Sequence, residues 1–99
     1  MNMHDWTLLS ILFEWKAGRV VLSFSTHKAG VVELIAERVF ELHVPQANDW
    51  GPSTHVNNVK GPLQGAAGRA RLEIEMQSGD IIIIEATTFE FPPAASADT

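Results

Sequence analysis

The four histidines, His4, His27, His43 and His55, are the side chains of this 99-residue chain best suited to holding a metal ion, so their spacing comes first. None is paired at the i, i+2 or i, i+4 separation that sets two imidazoles on one face of a strand or helix. A more distant set stays open. His43 precedes a long segment rich in proline and glycine, His55 lies within it, and Asp49 between them would make a third ligand. Asn57 follows, where a side-chain amide can fix its own loop or read a ligand. The plainer alternative is that these groups are surface or hydrogen-bonded residues. Glu73 and Glu75, two apart, fall within about 5 to 9.5 Å, the range that paired glycosidase carboxylates use. With Arg71 beside them they read as a solvated charge ladder. Ser53, Thr54 and His55 are adjacent, which is not the geometry of a nucleophilic triad, and no Gly-x-Ser-x-Gly elbow occurs. Gly61, Gly65 and Gly68 lack the following lysine and strand-to-helix context of a phosphate loop. Without cysteine there is no disulfide, thiol chemistry or thiolate metal site. These patterns point to no cofactor and no metal, and away from catalysis.

The elements that would position such residues read as strands. Between Trp6 and Thr26 apolar side chains alternate at period two, Leu9, Ile11, Phe13 and Trp15 followed by Val20, Leu22 and Phe24. A loop over residues 16–19 would set Trp15 against Val20, Phe13 against Leu22 and Ile11 against Phe24 on one face. A second hairpin is clearer. Ala70, Leu72, Ile74 and Met76 alternate with Arg69, Arg71, Glu73 and Glu75, and Gly79 supplies the positive φ of a tight turn. Met76 then opposes Asp80, Ile74 opposes Ile82, Leu72 opposes Ile84, and Arg71 opposes Glu85. That register places Ile81, Ile83, Phe89 and Phe91 on one outward face, which must be covered by a second layer or by a partner.

Residues 31–44 fit either two short strands bent at Ala36-Glu37-Arg38 or a helix with Glu33, Glu37 and Glu41 in a row; β composition favours strands. Residues 45–68 hold most of the prolines and glycines, with room for a short edge strand near Thr54, His55 and Val56. Within them, Trp50 beside Gly51-Pro52 either caps the core or faces a partner as an interface anchor. The expected fold is mainly β: a curved antiparallel sheet, sandwich or partly open barrel built from hairpins, with at most one short helix. One domain spans residues 1–91, and residues 92–99 form a fraying tail. The core centres on Phe13, Trp15, Leu22, Phe24, Leu72, Ile74, Ile82 and Ile84.

Seven basic against twelve acidic residues give a net charge of −5, at 45% hydrophobic content and a mean hydropathy of +0.04. The basic residues are scattered, so no stripe exists to displace counterions from a nucleic acid. The longest apolar run, Ile81 to Ile84, is too short to cross a bilayer, and the amino terminus carries no export signal, so a cytoplasmic protein is expected. His4-Asp5-Trp6, Glu41-Leu42-His43-Val44-Pro45, Trp50-Gly51-Pro52-Ser53 with Val56-Asn57, and Ile74-Glu75-Met76-Gln77-Ser78-Gly79-Asp80 resemble a family of small uncharacterised bacterial domains. More loosely, the hairpin-rich layout is similar to toxin-immunity proteins. The resemblance transfers no site residue. The expected function is a non-catalytic protein-interaction module, self-associating as a homodimer or bound to a protein partner. Trp50, Ile81, Ile83, Phe89 and Phe91 would be its contacts, and an immunity-type inhibitor of a basic toxin is the specific form. The rival expectation is a small-molecule or metal-binding protein or enzyme that uses His43, Asp49, His55 and Asn57.

Overall fold

A computed structural model describes residues 2–47 and 54–96. Six antiparallel strands make up the fold: β1 (Thr7–Glu14), β2 (Arg19–Thr26), β3 (Gly30–His43), β4 (Val56–Gln64), β5 (Ala70–Met76) and β6 (Ile81–Glu90). Their order in the sheet is β1-β2-β3-β6-β5-β4, so two three-stranded meanders lie side by side with β3 against β6. The sheet curls until its outer strands meet at one corner. There Thr7 bridges His55, the Leu8 N–H donates to the Thr54 carbonyl at 2.9 Å, and the Val56 N–H donates to the Trp6 carbonyl at 2.8 Å. The result is a single rolled layer, joined along its first few residues and open beyond them. Apart from two single-turn 3-10 segments, Ala66–Gly68 and Pro93–Ser96, the described elements are all strands.

The inner face carries the core, and alternation explains which residues reach it. Val20, Leu22 and Phe24 of β2, Leu72, Ile74 and Met76 of β5, and Ile82, Ile84 and Ala86 of β6 are all buried. Trp6 closes one end, its ring tilted against Phe24 at 5.7 Å between centroids. The β5–β6 hairpin has the register that its sequence pattern predicts: Leu72 opposite Ile84, Ile74 opposite Ile82, Arg71 opposite Glu85. Its turn is closed by the Met76 N–H to the Asp80 carbonyl at 2.9 Å, with Gly79 at φ 98°.

Four expectations are corrected. In the β1–β2 hairpin, Phe13 opposes Val20 and Ile11 opposes Leu22, two residues from the anticipated pairing, because the loop is residues 15–18 and Glu14 pairs with Arg19. Trp15 therefore leaves the core and is 84% exposed, and Phe13 is exposed too. A bulge between Leu8 and Ser10 puts Leu8, not Leu9, on the inner face opposite Phe24. Second, residues 30–43 are one bent strand. Residues up to Glu37 pair with β2, and Ile35 to His43 pair with β6. The bend falls at Arg38, a non-glycine residue at φ 54°, with a bulge between Val39 and Glu41. Third, residues 92–96 do not fray: Ala95 is buried in the core and its carbonyl accepts the Asn2 N–H at 2.8 Å. The segment expected as a loop also holds a nine-residue β4.

Candidate functional site

β2 ends at its pairing with Glu37, whereas β3 continues for six more residues against β6. The second half of β3 thus lacks a neighbour on its β2 side, and the β1–β2 loop is drawn across the gap. The Val39 N–H donates to the Gly18 carbonyl at 2.9 Å, and Gly18 takes the left-handed φ of 63° that the last loop position requires. Between this loop and β3 lies an open groove of about 340 Å³ lined by Phe13, Trp15, Val39, Phe40, Glu41 and Leu42. Phe13 and Trp15 pack ring to ring at 5.5 Å between centroids.

The charges around the groove are unevenly satisfied. Arg19 is held by Glu37 at 3.1 Å and Glu14 at 3.5 Å. Glu85, opposite Glu41 in the sheet, is bound by Arg71 at 3.3 Å and Arg69 at 3.9 Å. Glu41 itself has no ion-pair partner among the described residues. The Arg69 guanidinium also lies 4.3 Å from the Phe40 ring centroid, a cation–π contact. Three exposed or half-exposed aromatic rings with one unpaired carboxylate can take a planar or compact cation, or the apolar stem of a long basic side chain.

The interaction residues expected from sequence are scattered. Phe89 lies opposite Ala36, a core residue, and both Phe89 and Phe91 pack against the core, their rings stacked at 6.3 Å. Counting odd positions along β6 from Ile83 to Phe89 assumes an unbroken pleat. The left-handed Arg38 and its adjacent bulge break the pleat beside Ala86 to Phe89. Ile81 and Ile83 do stay on the outer face, Ile81 being 38% exposed, but they sit among charge: Ile81 opposes Glu75, and Ile83 opposes Glu73 on one side and His43 on the other. Trp50 and Asp49 lie outside the described residues.

Of the loop ligand candidates, the described ones, His43, His55 and Asn57, lie on different elements. His43 ends β3 on the outer surface, and His55 bridges Thr7 at the corner where the sheet closes. Asn57 is structural: its side-chain amide donates to Glu75 Oε1 at 3.2 Å, and its carbonyl accepts from His4 Nδ1 at 2.7 Å. No cluster of three or more metal-ligating side chains occurs among the described residues. Glu73 is engaged by Arg71 Nε at 2.9 Å, and this hydrogen bond, with Glu85 adding to it, holds the Arg71 guanidinium above its ordinary pKa. A second cleft, of about 420 Å³, opens at the other end of the sheet over Trp6, with His4, His27 and Lys28 on its rim and Pro93 and Ala94 on its wall.

No protein-family model matches the chain, and no curated protein is similar to it in sequence. The fold, however, is found elsewhere. An uncharacterised protein from Neisseria gonorrhoeae, known from a crystal structure, is similar to this chain with a TM-score of 0.70 at 19% identity, over 93% of this chain and 94% of that one. The likeness covers the rolled sheet as a whole and extends to the architecture alone.

Sequence reasoning missed the groove because it placed Phe13 and Trp15 inside. Two signals pointed to the correct loop: Gly18 fits the left-handed final position, and Glu14 with Arg19 makes an oppositely charged closing pair.

Proposed function

We propose that the chain is a non-catalytic protein-interaction module that engages a basic partner through the groove beside the β1–β2 loop. An immunity-type inhibitor of a basic toxin is its most specific form. The observation that carries this reading is Trp15, 84% exposed yet packed on Phe13 at the lip of a groove that also holds Phe40 and Glu41, a carboxylate with no ion-pair partner among the described residues. Large exposed aromatics supply much contact area at small entropic cost, which is why tryptophan is enriched among binding hot spots. A net charge of −5 favours a cationic partner, and the contact between Arg69 and Phe40 is a local example of this ring accepting a guanidinium. The experiment is affinity capture with wild-type and Trp15→Ser baits, followed by titration of the repurified captured protein. A basic protein that binds wild type and loses at least about tenfold in affinity, or roughly 1.4 kcal/mol, with the variant is expected. Equal binding by both baits would overturn the reading.

The cleft over Trp6 favours a second reading, a small-molecule binder, because His27 and Lys28 on its rim have no ion-pair partner among the described residues and would attract a small carboxylate. A thermal melt unshifted across a panel of aromatic and aliphatic carboxylates removes it.

A further inference from the structure

The outer face of the sheet carries rows of charge that run across the strands, and one of these rows stops short. Beside β2 a row is complete: Arg19 stands between Glu14 and Glu37, at 3.5 and 3.1 Å. Further along β3, Glu41 lies directly opposite Glu85, a like-charged pair that costs stability unless it is neutralised. Arg71 and Arg69 neutralise Glu85 from the far side, at 3.3 and 3.9 Å, and neither forms an ion pair with Glu41. The place beside Glu41 that corresponds to Arg19 beside Glu37 has no strand, because β2 starts at Arg19. The groove lies there instead, with Trp15 and the 47% exposed Phe40 on its walls. All six of its lining residues belong to β1, its loop and β3, whereas Val44, Gln46 and Thr54 border a different groove over Leu8 to Ile11.

We propose that this groove takes an arginine side chain of a basic protein, its guanidinium against the rings of Trp15 and Phe40 and its N–H groups donating to the Glu41 carboxylate. The proposal rests on the groove reading and names the side chain that fills it. The incoming guanidinium would do for Glu41 what Arg19 does for Glu37, and would relieve the unbalanced pair of Glu41 and Glu85. Geometry and solvation select arginine over lysine. A planar guanidinium lies on a ring face while its N–H groups point outward in its own plane, so stacking and the carboxylate contact are made together. A lysine ammonium is a compact, strongly hydrated charge with three donors. Apart from Glu41, the lining side chains, Phe13, Trp15, Val39, Phe40 and Leu42, offer it no oxygen acceptor. The molecule already contains one contact of the proposed kind, since the Arg69 guanidinium lies 4.3 Å from the Phe40 centroid. Arg69 does not line the groove, so it covers this ring from outside it. Arginine and tryptophan are also the side chains most enriched at binding hot spots, along with tyrosine.

The test is a nuclear magnetic resonance titration of the full chain with two peptides of equal charge, acetyl-Gly-Arg-Gly-amide and acetyl-Gly-Lys-Gly-amide. Shifts are read at the Trp15 indole N–H and at the Phe40 and Glu41 amides. The arginine peptide is expected to shift all three and to bind at least about fivefold more tightly than the lysine peptide. Glu41→Gln and Trp15→Ser, at exposed positions and with folding checked by circular dichroism, are each expected to remove that preference, read at the two positions left unchanged. Glu33→Gln, which alters an exposed carboxylate of β3 outside the groove, is expected to keep it. No shift with either peptide, equal affinity for the two, a preference that survives Glu41→Gln, or one lost with Glu33→Gln each overturns the proposal. Its failure is distinguishable from failure of the groove reading: a captured basic protein that loses affinity with Trp15→Ser and keeps it with Glu41→Gln sinks the arginine and leaves the groove standing.

Discussion

At the residue scale, one sequence class does two opposite jobs, and pairing register decides which. Leu72 and Trp15 are both large apolar side chains on alternating runs, but Leu72 is buried opposite Ile84 while Trp15 falls in the loop one residue past the last pair. Leu72→Ala is therefore expected to cost about 2 to 5 kcal/mol in urea unfolding, from lost transfer energy and the cavity left behind. Trp15→Ser, removing a side chain that touches water over most of its surface, is expected to stay within about 0.5 kcal/mol of wild type. A Trp15→Ser protein destabilised as much as Leu72→Ala would mean that the ring is part of the core. Arg71 gives a residue-scale pH expectation. Its pKa is raised by Glu73 and Glu85, so the stabilisation from the charged guanidinium is fully present below the arginine's unfolded pKa and lost only as pH rises through the higher folded value. Because that window lies in strong alkali, Arg71→Ala and wild type should differ by the same small amount across the neutral range, measured by urea unfolding at several pH values.

At the scale of elements, irregular positions matter more than regular ones. Gly61 sits at φ 102° in edge strand β4, and a Cβ there would lie 2.5 Å from the Arg71 carbonyl oxygen, so neither the conformation nor the space admits a side chain. Gly61→Ala is expected to destabilise by more than about 1 kcal/mol, a fall in melting temperature of more than about 4 °C. Arg38 is the reverse case: it holds a left-handed φ without being glycine, so Arg38→Gly is expected to be neutral or to raise the melting temperature, and Arg38→Val to lower it. This is also where legibility in the sequence ends. The β5–β6 hairpin was readable because strict alternation and Gly79 give one consistent register. The β1–β2 register was not, because apolar side chains occupy both faces of β1 and a two-residue slip keeps the same parity. The bulge at Leu9 and the left-handed Arg38 carry no residue-type signal, and they set what the sheet exposes: Leu9 on β1, and the partial burial of Phe89 where alternation expected an outer face. The aromatic groove follows from the bend at Arg38 and from the unequal lengths of β2 and β3, which periodicity does not encode.

At the scale of the whole molecule, a single rolled sheet of this size has little margin and depends on how its open end is closed. The closure uses both chain ends. Met3 is buried, Trp6 packs on Phe24, the Asp5 N–H donates to the Val56 carbonyl at 2.9 Å, Gln77 Nε2 donates to Asp5 Oδ1 at 2.7 Å, and Ala95 is pinned to Asn2. Residues 92–96, read from composition as a tail, are thus part of the plug. Ending the chain after Phe91 is expected to lower the melting temperature well beyond the effect of losing a frayed end, at roughly 4 to 8 °C per kcal/mol removed. Ala95→Asp in the full chain should act in the same direction by burying an unpaired carboxylate. Amide exchange separates plug from sheet. In the truncated protein, the Asp5, Leu8 and Val56 amides that join the two edges should lose protection, while those of the β5–β6 hairpin keep theirs. Uniform loss of protection would mean that the rolled sheet and its closure unfold as one unit, and unchanged protection at Leu8 and Val56 would mean that the corner bridge at Thr7 and His55 holds the roll shut without the carboxy-terminal turn.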